Sequence, residues 1–391
     1  MTLHNFDPAT FLRDHWQQRP LLIRQAFPGW VNPLEPDELA GLAGEAGVEA
    51  RLITGGTGTW AVEHGPIAAK RFSRLGNKDW TLLVQAVDHQ VPDVAALIAP
   101  FRFIPNWRID DVMVSYAADG GGVGPHFDQY DVFLVQGSGN RRWRIGQRCD
   151  DATPLLPHAD LRLLAEFQAT EEWLLEPGDV LYLPPGVAHD GVAVGDDCMT
   201  YSIGFRAPSR HELIGLWVDE ILSGLTEDDR YADPGLAAQP NPGEIIPDAL
   251  ARLQAMVIAA VADRTGFADW FGRHTTERKY PEVDWRPEAP ASAQEVRRAL
   301  AEGAALERNP ASRFAFVEQG ERQDGGAVLL FVDGQRHACT GLVADLARQL
   351  CASDLVEIAP ALASSETAVA LMTTLINEGS IAFAAEDDDR D

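Results

Sequence analysis

The chain has 391 residues, of which 46% are hydrophobic and 23% are charged, and this composition excludes a disordered protein. A formal net charge of −27, from 59 acidic and 32 basic side chains, disfavours direct binding to DNA, RNA or an anionic membrane. No apolar run approaches the ~18 residues of a membrane span, and the N-terminus lacks a signal-peptide pattern. We therefore expect a globular protein of the cytoplasm whose surface would attract a basic partner.

The first domain, residues 1–208, is predicted to be mainly β after a helical start. Phe11 and Trp16 have the spacing of an amphipathic helix, which Pro20 would break. From Asp110 to Phe205, short apolar runs are separated by Gly, Pro and Asp clusters. This pattern is typical of a β-sandwich or a barrel.

A helical segment is predicted over 209–280, because its apolar residues recur at the period of an amphipathic helix. The two apolar stripes comprise Leu213, Ile214, Trp217, Ile221 and Leu222, and then Leu250, Leu253, Met256, Val257 and Val261. Two helices cannot bury such stripes by themselves, so they need the barrel or a second subunit. We predict that this segment forms a homodimer.

A third unit, residues 281–391, is predicted to be a small α+β domain. A helix is followed by two strands, of which the second turns at Asp333-Gly334, and further helices precede a terminal strand. This order resembles a winged helix. The unit has 9 arginines, no lysine and 20 acidic residues, which disfavours DNA binding, and its tail, EDDDRD, is predicted to be a solvated end.

Two His-x-Asp triplets are candidate metal ligands, His126-Phe127-Asp128 and His158-Ala159-Asp160. Such a triplet occurs by chance in a chain this acidic, so its context must decide. The first follows the glycine run GGGVGP and enters a strand, whose alternation would place His126 and Asp128 on one face. His158 lies in a Pro-led loop entering a helical pattern, LLPHADLRLLAEF, and we predict that it is structural or exposed.

A third ligand is supplied by the segment EPGDVLYLPPGVAHD. Gly178, Pro184, Gly186 and His189 match the spacing G-x5-P-x-G-x2-H, for which ~0.005 chance matches are expected at this chain's composition. The segment predicts a turn, a buried strand, a Pro-Pro-Gly corner and then a histidine that can face back into the barrel.

This motif resembles the cupin superfamily, in particular its JmjC-type branch, whose fold is the double-stranded β-helix or jelly roll. Many cupins carry a second histidine and a later glutamate as ligands, whereas Asp128 stands here and no matching glutamate follows. The resemblance therefore implies the triad His126, Asp128 and His189, which is the two-histidine, one-carboxylate set of non-haem Fe(II) oxygenases. It also implies open positions for 2-oxoglutarate and O₂.

The resemblance further implies a cation for the distal carboxylate of 2-oxoglutarate. Arg141, two residues before Trp143 in GNRRWRIG, occupies the position where JmjC relatives have Lys or Arg. Arg142 and Arg144 are expected to face the other way. Ser115, in the preceding strand VMVSYA, could donate its hydroxyl to the same carboxylate, and an ordinary strand serine is an equal alternative.

Longer segments resemble the bacterial ribosomal oxygenases, densely over about residues 5–210. These segments are ATFLRDHWQQRPLLI, WRIDDVMVSYA, GGGVGPHFDQYDVF, GNRRWRIG and EPGDVLYLPPGVAHDGVA. The resemblance implies a JmjC catalytic domain, a helical dimerisation segment and a winged-helix-like end. It also implies Fe(II)- and 2-oxoglutarate-dependent hydroxylation of an arginine on a basic ribosomal protein of the large subunit. Asp119 is a candidate partner for the substrate guanidinium.

Three other functions remain as alternatives. One is a JmjC oxygenase that acts on another protein residue or removes a methyl group, and this enzyme would use the same centre. Another is a metal cupin that acts as a lyase or isomerase, which Asp128 and Arg141 disfavour. The last is a non-enzymatic binding protein, which the complete triad disfavours. Conversion of 2-oxoglutarate to succinate would separate the oxygenases from the other two.

Overall fold

Two β-sheets form the framework of the first 208 residues in the computed structural model, which describes residues 2–56, 59–320 and 326–384. Their strands are β1 (Leu21–Ile23), β2 (Ala50–Gly56), β3 (Thr59–His64), β4 (Trp80–Val84), β5 (Ile109–Ala117), β6 (Asp131–Gln136), β7 (Asn140–Arg148), β8 (Glu171–Leu175), β9 (Val180–Leu183), β10 (Val187–Val194) and β11 (Cys198–Phe205). The larger sheet has the order β1-β9-β6-β11-β5-β4-β2-β3, and the smaller has the order β10-β7-β8. The neighbouring strands pair antiparallel, as in a jelly roll.

The two sheets face each other across an apolar core. Strands β6 and β9 are buried at every position. Alternate side chains of each strand pack into different hydrophobic clusters on the two faces of the sheet. Val132 and Leu181 pack between the sheets with Trp143, whereas Phe133 and Tyr182 pack under the helices of the outer face. The continuous apolar runs of these strands therefore reflect a sheet that is covered on both sides.

Short helices cover the outer face of the larger sheet, namely α1 (Pro8–Asp14), α2 (Pro36–Leu42), α3 (Ala69–Phe72) and α4 (Pro92–Ala95). Phe11 on α1 is 1% exposed and packs edge-on against Tyr182, with ring centroids 4.8 Å apart. Helix α1 ends at Asp14, so the prediction that Trp16 belongs to it is wrong. The left-handed backbone of Gln17, with a φ of 57°, excludes a longer helix, although Trp16 still stacks on Tyr182 at 5.7 Å.

The helical pattern predicted after His158 is also wrong, because residues 161–167 contain no helix. Leu161 and Leu163 pack in one apolar cluster with Ile53, whereas Leu164 belongs to another with Phe127. The leucine spacing therefore reflects an irregular loop that contacts two separate clusters.

The helical segment begins at α5 (Arg210–Gly224) and continues with α6 (Pro247–Val261) and α7 (Arg264–Thr276). A capping box between Ser209 and Glu212 begins α5. In the described chain, α5 buries only Trp217 and α6 buries no residue. The third helix, which the apolar stripes do not predict, packs on the C-terminal unit, where Phe331 occupies the space beside Gly272.

The C-terminal unit combines helices with two small sheets. Its elements are α8 (Ala293–Ala301), β12 (Leu306–Arg308), β13 (Phe314–Gln319), β14 (Ala327–Val332), β15 (Gln335–Cys339), α9 (Leu342–Ala352), β16 (Leu355–Val356), α10 (Pro360–Ala363), α11 (Glu366–Asn377) and β17 (Ile381–Phe383). The sheets have the orders β16-β12-β17 and β13-β14-β15. The hairpin turn at Asp333-Gly334 is confirmed, and both residues have positive φ angles, 49° and 81°. The predicted solvated tail, 386–391, lies outside the described residues.

We propose that the chain divides into its three units at residues 208 and 280. Helix α7 joins the helical segment, 209–280, to the C-terminal unit. Within the described ranges, no helix combines the length and the hydropathy that crossing a membrane requires.

Candidate metal centre

A short antiparallel bridge holds His126 opposite His189. The backbone N–H of His126 donates to the carbonyl of His189 at 3.0 Å, and the reverse bond is 2.8 Å long. This register brings the two imidazole rings to a centroid distance of 4.3 Å. The N–H of Gly186 donates to the carbonyl of Asp128 at 2.7 Å, which fixes the next ligand position against the Pro-Pro-Gly corner.

The side chains of His126, Asp128 and His189 meet in one cluster, with candidate ligand atoms within 4.8 Å of one another. Oδ2 of Asp128 lies 4.0 Å from Nε2 of His126 and 3.5 Å from Nε2 of His189. His189 is 3% exposed, whereas about one fifth of each of the other two side chains is exposed. One ion could therefore contact all three and still be reached from the barrel mouth.

Backbone carbonyls orient both imidazoles. Nδ1 of His126 lies 2.8 Å from the carbonyl of Gly124, and Nδ1 of His189 lies 2.9 Å from the carbonyl of Val187. A carbonyl only accepts hydrogen bonds, so each Nδ1 carries the proton and each Nε2 keeps its lone pair. This is the arrangement in which histidine binds a metal.

Burial, reinforced by the neighbouring His126, lowers the pKa of His189 to about 4. The imidazole of His189 is therefore neutral at pH 7 and can act as a ligand. At the barrel mouth, the carboxylate of Asp128 raises the pKa of Tyr130 well above its usual range, so this phenol stays protonated.

Arg141 lies deeper in the barrel, on β7, and is 5% exposed. Its Nη2 lies 3.5 Å from Oγ of Ser115 and its Nε lies 3.4 Å from Sγ of Cys198. No carboxylate among the described residues forms an ion pair with it. Trp143 lies near both this guanidinium and the metal ligands, since its ring lies 5.8 Å from the guanidinium carbon of Arg141 and 5.7 Å from the ring of His189.

Two unpaired groups inside the barrel fit an acidic ligand. The first is the buried cation of Arg141, and the second is Nε1 of Trp143, which is buried without an acceptor in the described chain. Buried donors and charges normally have partners. A dicarboxylate beside a metal held by the triad would satisfy both groups.

Because side chains alternate between the two faces of β7, Arg142 and Arg144 point away from the barrel interior, as predicted. The side chain of Arg142 is 48% exposed and lies 3.9 Å from Glu172. Arg144 is 42% exposed and pairs with Asp190. Ser115 is 4% exposed and its hydroxyl is also 3.5 Å from the carbonyl of Thr200.

The second triplet lies apart from this cluster. Nδ1 of His158 accepts from the backbone N–H groups of Asp160 and Leu161 at 3.0 and 3.1 Å, so the ring organises its own loop. The carboxylate of Asp160 lies 3.1 Å from His64.

Asp119, the sequence candidate for the substrate guanidinium, is engaged elsewhere. Its carboxylate pairs with Lys78 at 3.2 Å and accepts from the backbone N–H of Gly195 at 3.0 Å. The backbone bond from Gly195, followed by that of Lys78, lowers the pKa of Asp119. These contacts hold the turn before the glycine run.

A cleft of about 620 Å³ begins at Tyr130, two residues after the ligand Asp128, and the sequence does not predict it. Its walls combine aromatic, acidic and basic side chains, and they include Trp107, Tyr130, Asp151, Arg206, His211, Glu212, Leu216, Phe271 and His274. These residues come from the barrel mouth and from α5 and α7. No spacing along the chain relates them, so only folding brings them together.

Comparison with known proteins gives matches over most of the chain. Residues 96–213 match the JmjC domain family, and residues 259–382 match the ROXA-like winged helix family. The chain is 42% identical over 298 residues to the ribosomal protein uL16 3-hydroxylase of Escherichia coli, covering 76% of this chain and 79% of that protein. It is 43% identical over 224 residues to a probable ribosomal oxygenase of Haemophilus influenzae, covering 57% and 54%.

Solved structures of YcfD from E. coli are similar over nearly the whole chain. One crystal structure has a TM-score of 0.88 at 34% identity and covers 98% of this chain and 100% of that one. Another, of YcfD described as a ribosomal oxygenase in complex with cobalt and 2-oxoglutarate, has a TM-score of 0.85 at the same identity, with coverages of 98% and 99%.

Proposed function

Since the chain belongs to the JmjC-type ribosomal oxygenases, we propose that it hydroxylates an arginine side chain of a large-subunit ribosomal protein. It is a 2-oxoglutarate-dependent oxygenase that uses Fe(II) and O₂. The observation that carries the assignment is the barrel interior, where three metal-ligand side chains lie beside a buried arginine that pairs with no carboxylate of the described residues. A ribosomal substrate also favours a location in the cytoplasm.

Fe(II) would be held by Nε2 of His126, Nε2 of His189 and a carboxylate oxygen of Asp128. When bound, the iron couples oxidative decarboxylation of 2-oxoglutarate by O₂ to hydroxylation of a C–H bond, with succinate and CO₂ as co-products. The protein positions the metal-binding side chains. Carbonyls of Gly124 and Val187 fix both imidazoles, and three ligands leave the other coordination positions to the co-substrates.

Arg141 would bind the distal carboxylate of 2-oxoglutarate, and the Ser115 hydroxyl would donate to the same group. The guanidinium matches a carboxylate in charge and in its planar fork of donors. Because Arg141 is buried, this pairing is little screened by water. The neighbouring indole N–H of Trp143, which lacks an acceptor, is a further donor available to the ligand.

The cleft at Tyr130 suits an arginine side chain. Although Arg206, His211 and His274 also line it, Asp151 and Glu212 supply negative charge, and the rings of Trp107 and Phe271 offer surfaces on which a guanidinium can stack. The E. coli relative is named for hydroxylation of ribosomal protein uL16, and a basic ribosomal protein is complementary to a surface of net charge −27.

The proposed function is tested by incubating the protein with Fe(II), 2-oxoglutarate and a basic peptide from a large-subunit ribosomal protein. We expect succinate to form and the peptide to gain the mass of one oxygen atom on an arginine, as measured by tandem mass spectrometry. Loss of a methyl group from a methylated peptide would instead indicate a demethylase. Failure to convert 2-oxoglutarate to succinate would contradict every oxygenase reading.

A peptide in which lysine replaces the target arginine is expected to be a poor substrate. Lysine retains the positive charge but lacks the planar, forked donors of a guanidinium group, and it stacks less well on aromatic rings. The ratio of kcat/KM values for the two peptides measures this preference. Equal kcat/KM values for the two peptides would contradict the arginine preference and indicate a JmjC oxygenase of different specificity.

Hydroxylation of the basic peptide is expected to slow as salt rises above about 0.1 M, where the screening length is about 10 Å. The acidic surface raises the encounter rate with a basic substrate, and screening removes this advantage. The check is kcat/KM measured against NaCl concentration, with basal succinate formation as the control. An increase of kcat/KM with salt would contradict the steering argument.

We also propose that α5 and α6 form a homodimer interface. Helix α6 buries no residue against the part of its own chain that the structure describes, and exposed apolar residues on the two helices include Ile214, Leu222, Leu250 and Val257, at 54–64% exposure. An apolar surface of this extent is typical of an interface. Trp217 is not a good probe of it, because this side chain packs against Phe267 and Trp270 of its own chain.

Val257→Glu is expected to dissociate the dimer, because it places a charge in the apolar interface. Light scattering at micromolar concentration should give the mass of two chains for the unaltered protein and of one for the variant. Leu355→Glu, at a residue 53% exposed on β16, is the matched control and should remain dimeric. A monomeric unaltered protein would contradict the proposal.

A further inference from the structure

A cavity of about 190 Å³ lies where the barrel domain meets the C-terminal unit. Four of its lining side chains are arginines, of which Arg102 and Arg206 belong to the barrel side and Arg308 and Arg313 to the C-terminal unit. Since a water molecule occupies roughly 30 Å³ of liquid, the cavity has room for a small anion with a few waters. It is distinct from the candidate metal centre, none of whose residues line it.

Several donors of these arginines have no acceptor within the described chain. They are Nε of Arg102, Nε of Arg206, and both Nε and Nη1 of Arg308, and all are inaccessible to solvent. The side chain of Arg308 is 9% exposed. Burial of an unpaired donor is unfavourable, so such a group indicates a missing partner.

The acidic residues nearby do not supply that partner. Asp354 is held by Nη2 of Arg102 at 2.5 and 2.6 Å, which leaves its carboxylate 3.7 Å from Nη1 of Arg308. Among the described residues no carboxylate forms an ion pair with Arg206, and its Nη2 donates to the carbonyls of Trp107 and Thr275 at 3.0 and 2.9 Å.

The remaining acids at the cavity are neutralised or exposed. Asp110 pairs with Arg313 at 3.1 Å and with Lys279 at 2.9 Å. Burial, with Asp111 nearby, raises the pKa of Asp88 to about 8, so this group is mostly uncharged at pH 7. Glu307 also lines the cavity, but it is exposed on β12.

Carboxylates balance the charge of these guanidinium groups only in part. Burial and the nearby Arg313 lower the pKa of Arg206 to about 10. Burial also lowers the pKa of Arg308, although Asp354 opposes this. A local excess of positive charge is unusual in a protein of net charge −27, and a bound anion would relieve it.

We propose that this cavity binds a small oxyanion of the phosphate type, clamped between Arg206 of the barrel and Arg308 of the C-terminal unit. The unpaired donors come from three guanidinium groups on two domains. A tetrahedral phosphate offers acceptor oxygens in several directions and suits such a set better than a planar carboxylate. Because both units contribute, the anion stabilises their docking, and its binding raises the stability of the whole chain.

The test is equilibrium dialysis of the full chain with radiolabelled inorganic phosphate. We expect saturable binding of one phosphate per chain, and affinity at least tenfold weaker in Arg206→Met and in Arg308→Met. Arg286→Met is the matched control and should bind normally, because Arg286 is exposed and forms its ion pair with Asp284, away from the cavity lining. Arg141→Met should also bind normally, which separates this site from the barrel interior.

The result that overturns the proposal is the absence of saturable phosphate binding, or binding that is lost in Arg141→Met and retained in Arg206→Met. Should both methionine variants fail to fold, Arg308→Lys decides the question. This variant keeps the positive charge but lacks the planar, forked set of N–H donors of arginine, so we expect it to bind phosphate more weakly. In the unaltered protein, phosphate should also raise the midpoint of thermal unfolding more than chloride at equal ionic strength, and equal midpoints would contradict the site.

Discussion

Replacement of His126, Asp128 or His189 by alanine is expected to abolish Fe(II) binding and succinate formation. The three ligand atoms lie within 4.8 Å of one another, and two remaining side chains cannot hold Fe(II) in an open, three-ligand site. Metal content after dialysis and conversion of 2-oxoglutarate measure the two losses. A fall of at least 100-fold in turnover is expected, because removal of even an outer contact to a metal ligand costs about 10- to 100-fold.

His158→Ala is the control for these variants, since it alters the other His-x-Asp triplet. His158 contacts its own loop and the carbonyl of Trp60, so its loss should leave metal content and turnover near normal. Circular dichroism would show that all four variants fold. Activity that is lost in His158→Ala and retained in His126→Ala would reverse the choice of triplet.

Arg141→Ala is expected to weaken 2-oxoglutarate binding by about 2–5 kcal/mol, or roughly 30-fold or more, while Fe(II) binding is retained. The variant leaves the distal carboxylate of the co-substrate buried without its cation. The KM for 2-oxoglutarate, together with metal content, measures the effect. The expected split is an unchanged metal content with a strongly raised KM.

Arg142→Ala is the matched control, because the neighbouring side chain faces solvent and its 3.9 Å contact with Glu172 is a surface ion pair. Its KM for 2-oxoglutarate should change less than threefold. Equal affinity for 2-oxoglutarate in the unaltered protein and in Arg141→Ala would remove Arg141 from the site.

Local sequence is sufficient to predict a functional residue when the motif that positions it is contiguous in the chain. The glycine run before His126 and the Pro-Pro-Gly corner before His189 each specify a turn followed by a strand, so both ligand positions can be read from short motifs. Alternation along β7 likewise predicts that Arg141 faces inward and Arg142 outward. These predictions succeed because side-chain direction in a strand depends on adjacent residues alone.

Local sequence misleads where the partner of an apolar residue lies elsewhere in the chain. Leu161, Leu163 and Leu164 have a helical spacing, yet they fill two separate clusters from an irregular loop. Trp217 belongs to an exposed stripe by its spacing, yet it is covered by Phe267 and Trp270 of a helix that the stripes do not predict. Hydrophobic burial has no direction, so a pattern predicts that a residue is covered without specifying what covers it.

The sequence by itself therefore determined the β-rich first domain and the three metal ligands, because each follows from a short motif or from strand alternation. The position of Arg141 beside them was implied instead by the resemblance to JmjC relatives. Only the tertiary structure decided that His126 lies opposite His189, that Asp119 is already engaged by Lys78, and that a cleft begins at Tyr130. It also decided that unpaired arginines of two domains share a cavity. Contacts between residues that lie far apart in the sequence depend on the register of the sheets and the docking of the domains, which no local pattern encodes.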